Sequence, residues 1–450
     1  MRILQVNTSD VGGGAEGSAW NLFQAYRKRG HESWLAVGFK RSSDPDVLEI
    51  PRPKPSALRP RVYEGMARMI TPMEAILPGV WRGRHWLNIL ASGPMGVDLE
   101  LGREHFHYPG TYRLLRLSPS RPDIVHIHNL HGYYFDLRAL PWLSRQAPVV
   151  LNLRDSWPLG GHCAHPLGCE RWQTGCGRCP HLEVYPGLKR DGTAYNWRRK
   201  RAIYARSRLF VTTASQWLMD RVRKSMLSGA DYRVIPNGID LSVFCPGEKG
   251  AARRQLGLPA DAKIVMMTAH NSWKDLSAME AALASVSAPG PLLFVCIGKA
   301  RDEKPLGQGH AIYPPFIKDP NVMAQYYRAA DVFFLVSKEE AFGKTLVEAM
   351  ACGVPVVAAA VGGVPEVVSD GEGGFLLERE DIAGMSRAIE RLLRDDPLRA
   401  GISIAAAQRG RQFSLDKQAD AFLAWYAEIL ACDVPKPGAI GNPSGKESAQ

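Results

Sequence analysis

Two glutamates, Glu340 and Glu348, bracket seven residues in the stretch EEAFGKTLVEAMACGVPVV, which runs from Glu339 to Val357. DVFFLV ahead of it reads as a buried strand ending near Val336, and SKEEAFG as a loop. Lys344 or Thr345 then opens a helix that stops by Cys352. Gly353 caps it and Val354-Pro355 enters the next strand. Glu340 therefore lies in the loop before the helix and Glu348 about one turn inside it, so both can face a ligand at the helix N-terminus. That end offers free N–H groups and partial positive charge to a phosphate, with Thr345 beside it. A carboxylate accepts two hydroxyl hydrogen bonds at once, which suits the vicinal diols of a ribose or a sugar. The pair fits a nucleotide sugar, with the diphosphate on the helix and a diol on each glutamate. On its own it fits equally a capping Glu340 and a solvated Glu348.

Three other groups could do chemistry. Gly12, Gly13 and Gly14 follow the first strand directly. His126 and His128 follow a strand period in DIVHIHN, which is expected to turn one to each side of the sheet. Cys163, Cys169, Cys176 and Cys179 fall within 17 residues, and CGRCP is a tight knuckle of the kind that presents two thiolates to one zinc ion. Four sulfurs would make a closed, structural site, with His162, His165 or His181 able to replace a thiolate. Disulfides or four free thiols are the alternatives, the first disfavoured in a reducing compartment. Cys245, Cys296, Cys352 and Cys432 are scattered and read as small apolar residues.

The elements that must position these groups alternate. RILQVN is a short apolar strand. DVGGGAEGSAWNLFQAYRKRGHE is a glycine loop and then a helix with Trp20, Phe23 and Tyr26 in register and Gly30 as its stop. SWLAV is the next strand. This βαβ pattern predicts a parallel sheet covered on both faces. DIVHIHN, VVLNLRD, RLFVTTAS and YRVIPNG continue the series, and AKIVMMTAH, LLFVCIG, DVFFLV, VPVVAAA and GGFLL form a second one. Two doubly wound α/β domains follow, with ligand bound in the cleft at the carboxyl ends of the strands. The first covers 1–243 and holds the Cys-rich loop at 161–181. The second covers 244–414, beyond a turn-rich junction near Asp240 to Gly250. A C-terminal helix covers 415–432, and 433–450 has too little apolar surface to fold. Between a Pro-rich basic loop at 51–62 and Leu90, Met, Ile, Leu and Trp mix with Arg and His. This region is either a helical cover on the sheet or a basic interfacial patch where Trp81 and Trp86 meet lipid headgroups.

At 450 residues the chain is too long for one ordinary core. No apolar run is long and uninterrupted enough to cross a membrane, and MRILQVNTSD reads as a strand rather than a signal peptide. A cytoplasmic protein is expected, with peripheral contact at the inner membrane face. The net charge of +11 suits an anionic partner. A nucleotide or an anionic membrane ranks above nucleic acid, for which no motif is present.

The joint order of these motifs resembles glycosyltransferase family 4, the retaining enzymes of GT-B fold, over roughly residues 1 to 430. EEAFGKTLVEAMACGVPVVAAAVGGVPEVV looks like the family's E-x7-E segment and its Gly-Gly-x-Pro-Glu turn. VIPNGID matches the interdomain motif around Asn237, and GGGAEG the N-terminal glycine loop. DIVHIHNLHGYYFDL and GHCAHPLGCERWQTGCGRCP resemble the branch of colanic-acid-type exopolysaccharide and lipopolysaccharide biosynthesis. The resemblance implies hexosyl transfer from a nucleotide-diphosphate sugar to a hydroxyl of a glycan, lipid-linked, with no cofactor needed for catalysis. Glu340 would contact the donor sugar, Glu348 would hold the ribose, and Gly13 and Gly14 would let backbone approach the phosphates where a Cβ would block it. His128 would lie by the anomeric centre, with His126 in the core. Asn237, Lys274 and Thr345 complete the donor set. MMTAHNSWKDL departs from the family's Gly-Arg then Lys-Gly. Lys274 fits the lysine, no arginine precedes it, Asp275 replaces the glycine, and His270, Asn271 or a distant arginine must substitute. The rival reading is a non-catalytic GT-B scaffold that binds nucleotide or glycan.

Overall fold

A computed structural model describes residues 1–52, 58–75, 77, 79–269, 273–298 and 300–432. The proposed tail at 433–450 and the substitutes His270 and Asn271 lie outside the described residues. The first sheet contains β1 (Arg2–Ser9), β2 (Glu32–Phe39), β3 (Val47–Glu49), β4 (Ile124–Ile127), β5 (Val149–Leu153), β6 (Leu209–Thr213) and β7 (Asp231–Val234). Its order is β3-β2-β1-β4-β5-β6-β7, with every pair parallel. The second contains β8 (Lys263–Ala269), β9 (Leu292–Gly298), β10 (Lys304–Leu306), β11 (Gly309–Ile312), β12 (Val332–Leu335), β13 (Val356–Ala359) and β14 (Gly374–Leu377). Its order is β10-β11-β9-β8-β12-β13-β14, with only the β10–β11 pair antiparallel.

Both orders reverse beside the first strand of the domain, between β1 and β4 and between β8 and β12. A crevice opens at such switch points, beyond the carboxyl ends of the strands. The glycine loop follows β1 and His128 follows β4. Lys274 follows β8 and Glu340 follows β12. The topology therefore delivers the candidate residues to the two crevices. The central strands β4, β5, β12 and β13 are buried along their whole length, which is why they read as unbroken apolar runs.

Two placements differ from expectation. His126 and His128 lie on the same side of the sheet, with ring centroids 4.0 Å apart. Residues two apart in a strand share a face, so the pair could not have been split across it. The region after the Pro-rich loop folds as a helical hairpin, Leu58–Ile70 and Val80–Ala91. Its helices pack mainly on each other, and it adds none of its described residues to the buried core clusters, so it is not a cover packed into the sheet's core.

The C-terminal helix, Leu415–Ala431, returns to the first sheet. Its Phe422, Trp425, Tyr426 and Ile429 pack with Ile3, Tyr26, Ile124, Val150 and Phe210. Tyr426 Oη meets His126 Nδ1 at 2.6 Å and Tyr26 Oη at 3.2 Å. The two chain segments that join the halves run side by side: the Ile239 amide donates to Phe413 O at 2.9 Å, and the Leu415 amide to Ile239 O at 2.8 Å.

Candidate active site

The helix after β12 spans Lys344–Ala351 and starts at Gly343, whose φ of 89° lies in the left-handed region. No side chain caps it, so its first amides stay available to a ligand. Around this end the structure gathers four of the expected residues. Lys274 Nζ pairs with Glu340 Oε2 at 2.5 Å, the lysine side chain 5% exposed and the glutamate 14%. Glu340 also accepts weakly from Ser337 Oγ at 3.4 Å. Burial alone would push the Glu340 carboxyl up, but the charge and hydrogen bond of Lys274 outweigh it and hold it below its ordinary value. Glu348 accepts from Tyr327 Oη at 3.0 Å and stands 3.5 Å from Lys344 Nζ. Thr345 Oγ1 is buried with no partner. A buried hydroxyl left unpaired is costly in the free protein, which suits one waiting for a ligand.

The Gly-Gly-x-Pro-Glu turn serves this loop. Gly363 N donates to Glu340 O at 2.9 Å. Gly362 has a φ of 60°, and a Cβ there would fall 2.0 Å from the Glu340 carbonyl oxygen, so only glycine lets the turn close on the glutamate. Glu366, at the end of the motif, reaches into the first half and accepts from the amides of Gln216 and Trp217, each at 2.7 Å. These are the first free amides of the helix Gln216–Arg223.

The first helix, Gly14–Lys28, also begins without a side-chain cap. Gly13 and Gly14 are not needed by the fold. Neither takes a positive φ, a Cβ on Gly14 would meet nothing within 4 Å, and one on Gly13 would meet only Glu16 at 3.6 Å. Lys344 of the second half reaches the first turn of this helix, where a Cβ on Gly17 would lie 4.0 Å from its Nζ. Two uncapped helix N-termini thus lie near one another, bridged by the Lys344 side chain.

His128 is buried and both its ring nitrogens are engaged. Nε2 meets Gln5 Oε1 at 2.6 Å, and Nδ1 accepts from Arg154 Nη2 at 3.0 Å. An arginine can only donate, so the ring is the neutral tautomer with its proton on Nε2. Burial, with His126 and Arg154 nearby, keeps the imidazole well below its ordinary pKa. Arg154 also donates through Nη1 to Asn237 Oδ1, which binds the interdomain segment to the end of β5.

The sequence reading passed over Arg154, Lys344 as a site residue, and Glu339. Glu339 is buried. It accepts from Arg221 at 3.0 Å and from the Leu167 amide at 3.1 Å, and it stands 3.8 Å from His165. His165 stacks on Trp273 at 4.4 Å between centroids. The Cys-rich loop thereby reaches the second half beside Glu340.

Cys163, Cys169, Cys176 and Cys179 line one small cavity with His162, and all are free thiols. The Gly161 amide lies 3.2 Å from Cys176 Sγ, and His162 Nε2 3.4 Å from Cys179 Sγ. Burial pushes the Cys163 thiol up to about 12 and that of Cys176 up to about 11. The donor set is that of a structural zinc site. As placed, however, no three His, Cys, Asp or Glu side chains among the described residues are arranged to hold a metal ion. The thiols share a space without converging on one point.

Known proteins place this geometry. Residues 12–243 match the family model Glycosyltransferase Family 4, and residues 248–409 match Glycosyl transferases group 1. A D-inositol 3-phosphate glycosyltransferase of Mycobacterium bovis is 34% identical over 382 residues, covering 80% of this chain and 72% of its own. One from Mycolicibacterium smegmatis is 33% identical, covering 67% and 68%. Among solved structures, sucrose-phosphate synthase from Thermosynechococcus elongatus superposes with a TM-score of 0.62 at 20% identity, covering 96% of this chain and 100% of that one. Anabaena Alr3699/HepE in complex with UDP-glucose does so at 0.61 and 19%, covering 94% and 100%. Both of these relatives are D-inositol 3-phosphate glycosyltransferases, so the match does not single out the exopolysaccharide branch. The chain belongs to glycosyltransferase family 4, and is a transferase of GT-B fold that acts on sugar-nucleotide donors.

Proposed function

We propose that this chain moves a hexosyl group from a nucleotide-diphosphate sugar to a hydroxyl of a lipid-linked glycan, with retention at the anomeric carbon, in surface polysaccharide synthesis. One observation carries the donor half of this reading. Lys274–Glu340, Thr345 and Glu348 surround one uncapped helix N-terminus that lies near the glycine loop. The diphosphate lies between the two helix ends, against Lys274 and Lys344, where fixed dipoles and cations meet the charge that develops on it. Glu348 takes the ribose diol and Glu340 the sugar hydroxyls. The bond from the anomeric carbon to the phosphate oxygen breaks, and the acceptor oxygen bonds to the same face. The leaving phosphate oxygen takes the acceptor's proton. Asn237 and His128 act one step back, by holding Arg154.

Thermal stabilisation by UDP-, GDP- and ADP-sugars, beside Glu348→Ala, tests the donor site. Binding to the native state raises the melting temperature by mass action. A shift with one nucleotide class that the variant abolishes supports the assignment. Equal shifts in both proteins, or none with any donor, refute it.

A separate observation favours peripheral contact with an anionic membrane. The helical hairpin exposes Met66, Met69, Trp81 and Trp86 beside the exposed cations Arg61, Arg68 and Arg82, the pairing of apolar and basic groups that binds an acidic lipid surface. Flotation with phosphatidylglycerol vesicles is expected to carry the chain and to fail with uncharged lipid. Equal flotation with both would remove the electrostatic part of the argument.

A further inference from the structure

The most deeply buried cations of this molecule have carboxylate partners. Lys200 pairs with Glu104 at 2.9 Å, Lys274 with Glu340 at 2.5 Å, and Arg253 with Asp331 at 2.9 Å. Arg154, half-buried at the edge of the crevice, makes no ion pair among the described residues, and neither does the half-buried Arg328, which backbone carbonyls and Cys245 hold. The Nη atoms of Arg154 are satisfied by neutral acceptors, Asn237 and His128, and its Nε is buried with no partner. Asp155, the nearest carboxylate in sequence, is committed elsewhere: it accepts from His131 at 3.0 Å and from the Trp157 amide at 2.9 Å. A charge without a hydrogen-bonded counter-ion is expensive where water is scarce. Burial pushes this guanidinium down to about 10, against the weaker pull of Tyr26 and of the Glu16 carboxylate on the first helix.

The surroundings explain how the charge is kept there and what it faces. Arg154 is the first residue after β5, at the carboxyl edge of the sheet where the crevice opens, and it lines a small cavity with His128, His131 and Asn152. Gln5 fixes the His128 tautomer, which leaves Nδ1 free to accept from the guanidinium. Asn237 fixes the other branch from the segment that joins the two halves. The result is a cation aimed by neutral groups, with no carboxylate hydrogen-bonded to it, although Glu16 acts on it through space and Asp155 lines the same cavity. MMTAHNSWKDL, meanwhile, offers the second half of the cleft a lysine and no arginine.

Resting on the nucleotide-sugar reading above, we propose that Arg154 is an anion receptor of the cleft, held by Gln5–His128 and Asn237 and binding a phosphoryl group of a substrate. Two substrates could present that chemistry, the donor diphosphate and a phosphorylated acceptor.

Calorimetric titration of the full chain distinguishes them. Wild type, Arg154→Gln and Arg154→Lys are titrated with UDP, GDP, ADP, their nucleosides, pyrophosphate and D-inositol 3-phosphate. Glutamine keeps a donor for Asn237 or His128 and removes the charge, so a merely structural role predicts little change. Loss of an ionic hydrogen bond predicts roughly 10- to 100-fold weaker anion binding in Arg154→Gln, with partial recovery in Arg154→Lys and unchanged nucleoside binding. Weakening confined to the nucleoside diphosphates and pyrophosphate assigns the donor. Weakening confined to D-inositol 3-phosphate assigns the acceptor. Unchanged affinity of Arg154→Gln for every anion that wild type binds overturns the proposal. A wild type that binds D-inositol 3-phosphate through Arg154 but no nucleotide would overturn the nucleotide-sugar reading and leave the receptor standing. A wild type that binds no anion overturns both.

Discussion

Replacing Lys274 by methionine separates a built ion pair from two charges that happen to be near. Lys274 and Glu340 meet at 2.5 Å, with side chains 5% and 14% exposed. Methionine keeps most of the lysine stem's volume, so the lost quantity is the charge. Removing one member of a buried pair leaves the other uncompensated, at a cost of about 3 kcal/mol or more. For a domain of this size that is a fall in Tm of roughly 6–12 °C at neutral pH. The loss should depend on pH. In wild type the Glu340 carboxyl is held below its ordinary value, so its contribution is present above the unfolded carboxylate pKa and is lost as pH falls through the depressed folded one. In Lys274→Met only His165 and the long Ser337 hydrogen bond still oppose burial and the carboxyl titrates higher, so the penalty exists only where Glu340 is ionised. Melting followed by circular dichroism from pH 7.5 down to pH about 4.5 should show the gap between the proteins closing as Glu340 takes a proton. Lys274→Met/Glu340→Gln should recover most of the loss at neutral pH, since no buried charge remains. A gap that stays constant with pH, or a double variant as unstable as the single one, would refute this account.

Thr345→Val should leave the Tm of the free protein unchanged or slightly higher, because it removes a buried hydroxyl with no partner, yet weaken nucleoside diphosphate binding several-fold. Loss of stability with unaltered binding would contradict this. Glu366→Ala should cost about 1 kcal/mol, a helix-capping value, because it frees the Gln216 and Trp217 amides. The same variant should speed proteolysis between the halves, and a Tm equal to wild type would show that water replaces the carboxylate at no cost. Structural zinc on Cys163, Cys169, Cys176 and Cys179 would require the thiols to swing inward. Elemental analysis of chain purified without chelator should then find about one zinc, released on denaturation. Eight titratable thiols with no metal would establish the free-thiol reading instead.

Most central strands were legible because a parallel strand buried on both faces is a short apolar run between turns. The strands that escaped notice, Val47–Glu49, Lys304–Leu306 and Gly309–Ile312, are short and near sheet edges, with too few buried positions to make a pattern. The Glu340–Glu348 spacing revealed a helix N-terminus, since a strand, a loop, a glycine and a helix follow in one line of sequence. Arg154 was not legible. It follows VVLNL as any polar residue might, and its meaning lies in the absence of a carboxylate among neighbours brought from Gln5, His128 and Asn237. Glu339 was hidden by its neighbour: adjacent glutamates look equivalent in sequence, yet one faces the helix end and the other ties Arg221 and Leu167 across the halves. The Met- and Trp-rich hairpin misled because its apolar residues suggest a core, whereas Met69 is 79% exposed.

The return of the helix Leu415–Ala431 to the first sheet sets an order on biosynthesis. Chains emerge from the ribosome amino end first, and domains generally fold as they appear. Here the first sheet cannot finish on that schedule. Ile3, Ile124, Val150 and Phe210 are covered by Phe422, Trp425 and Tyr426, which are made only after the whole second domain. Until then the part of that face not covered by Leu22, Ala25 and Tyr26 of the first helix stays apolar and open, and His126 Nδ1 lacks its Tyr426 hydroxyl. Completion of the first domain is therefore coupled to synthesis of the last helix. A chain released early would carry a folded second domain beside a sticky, unfinished first one, a form that chaperones and proteases can recognise.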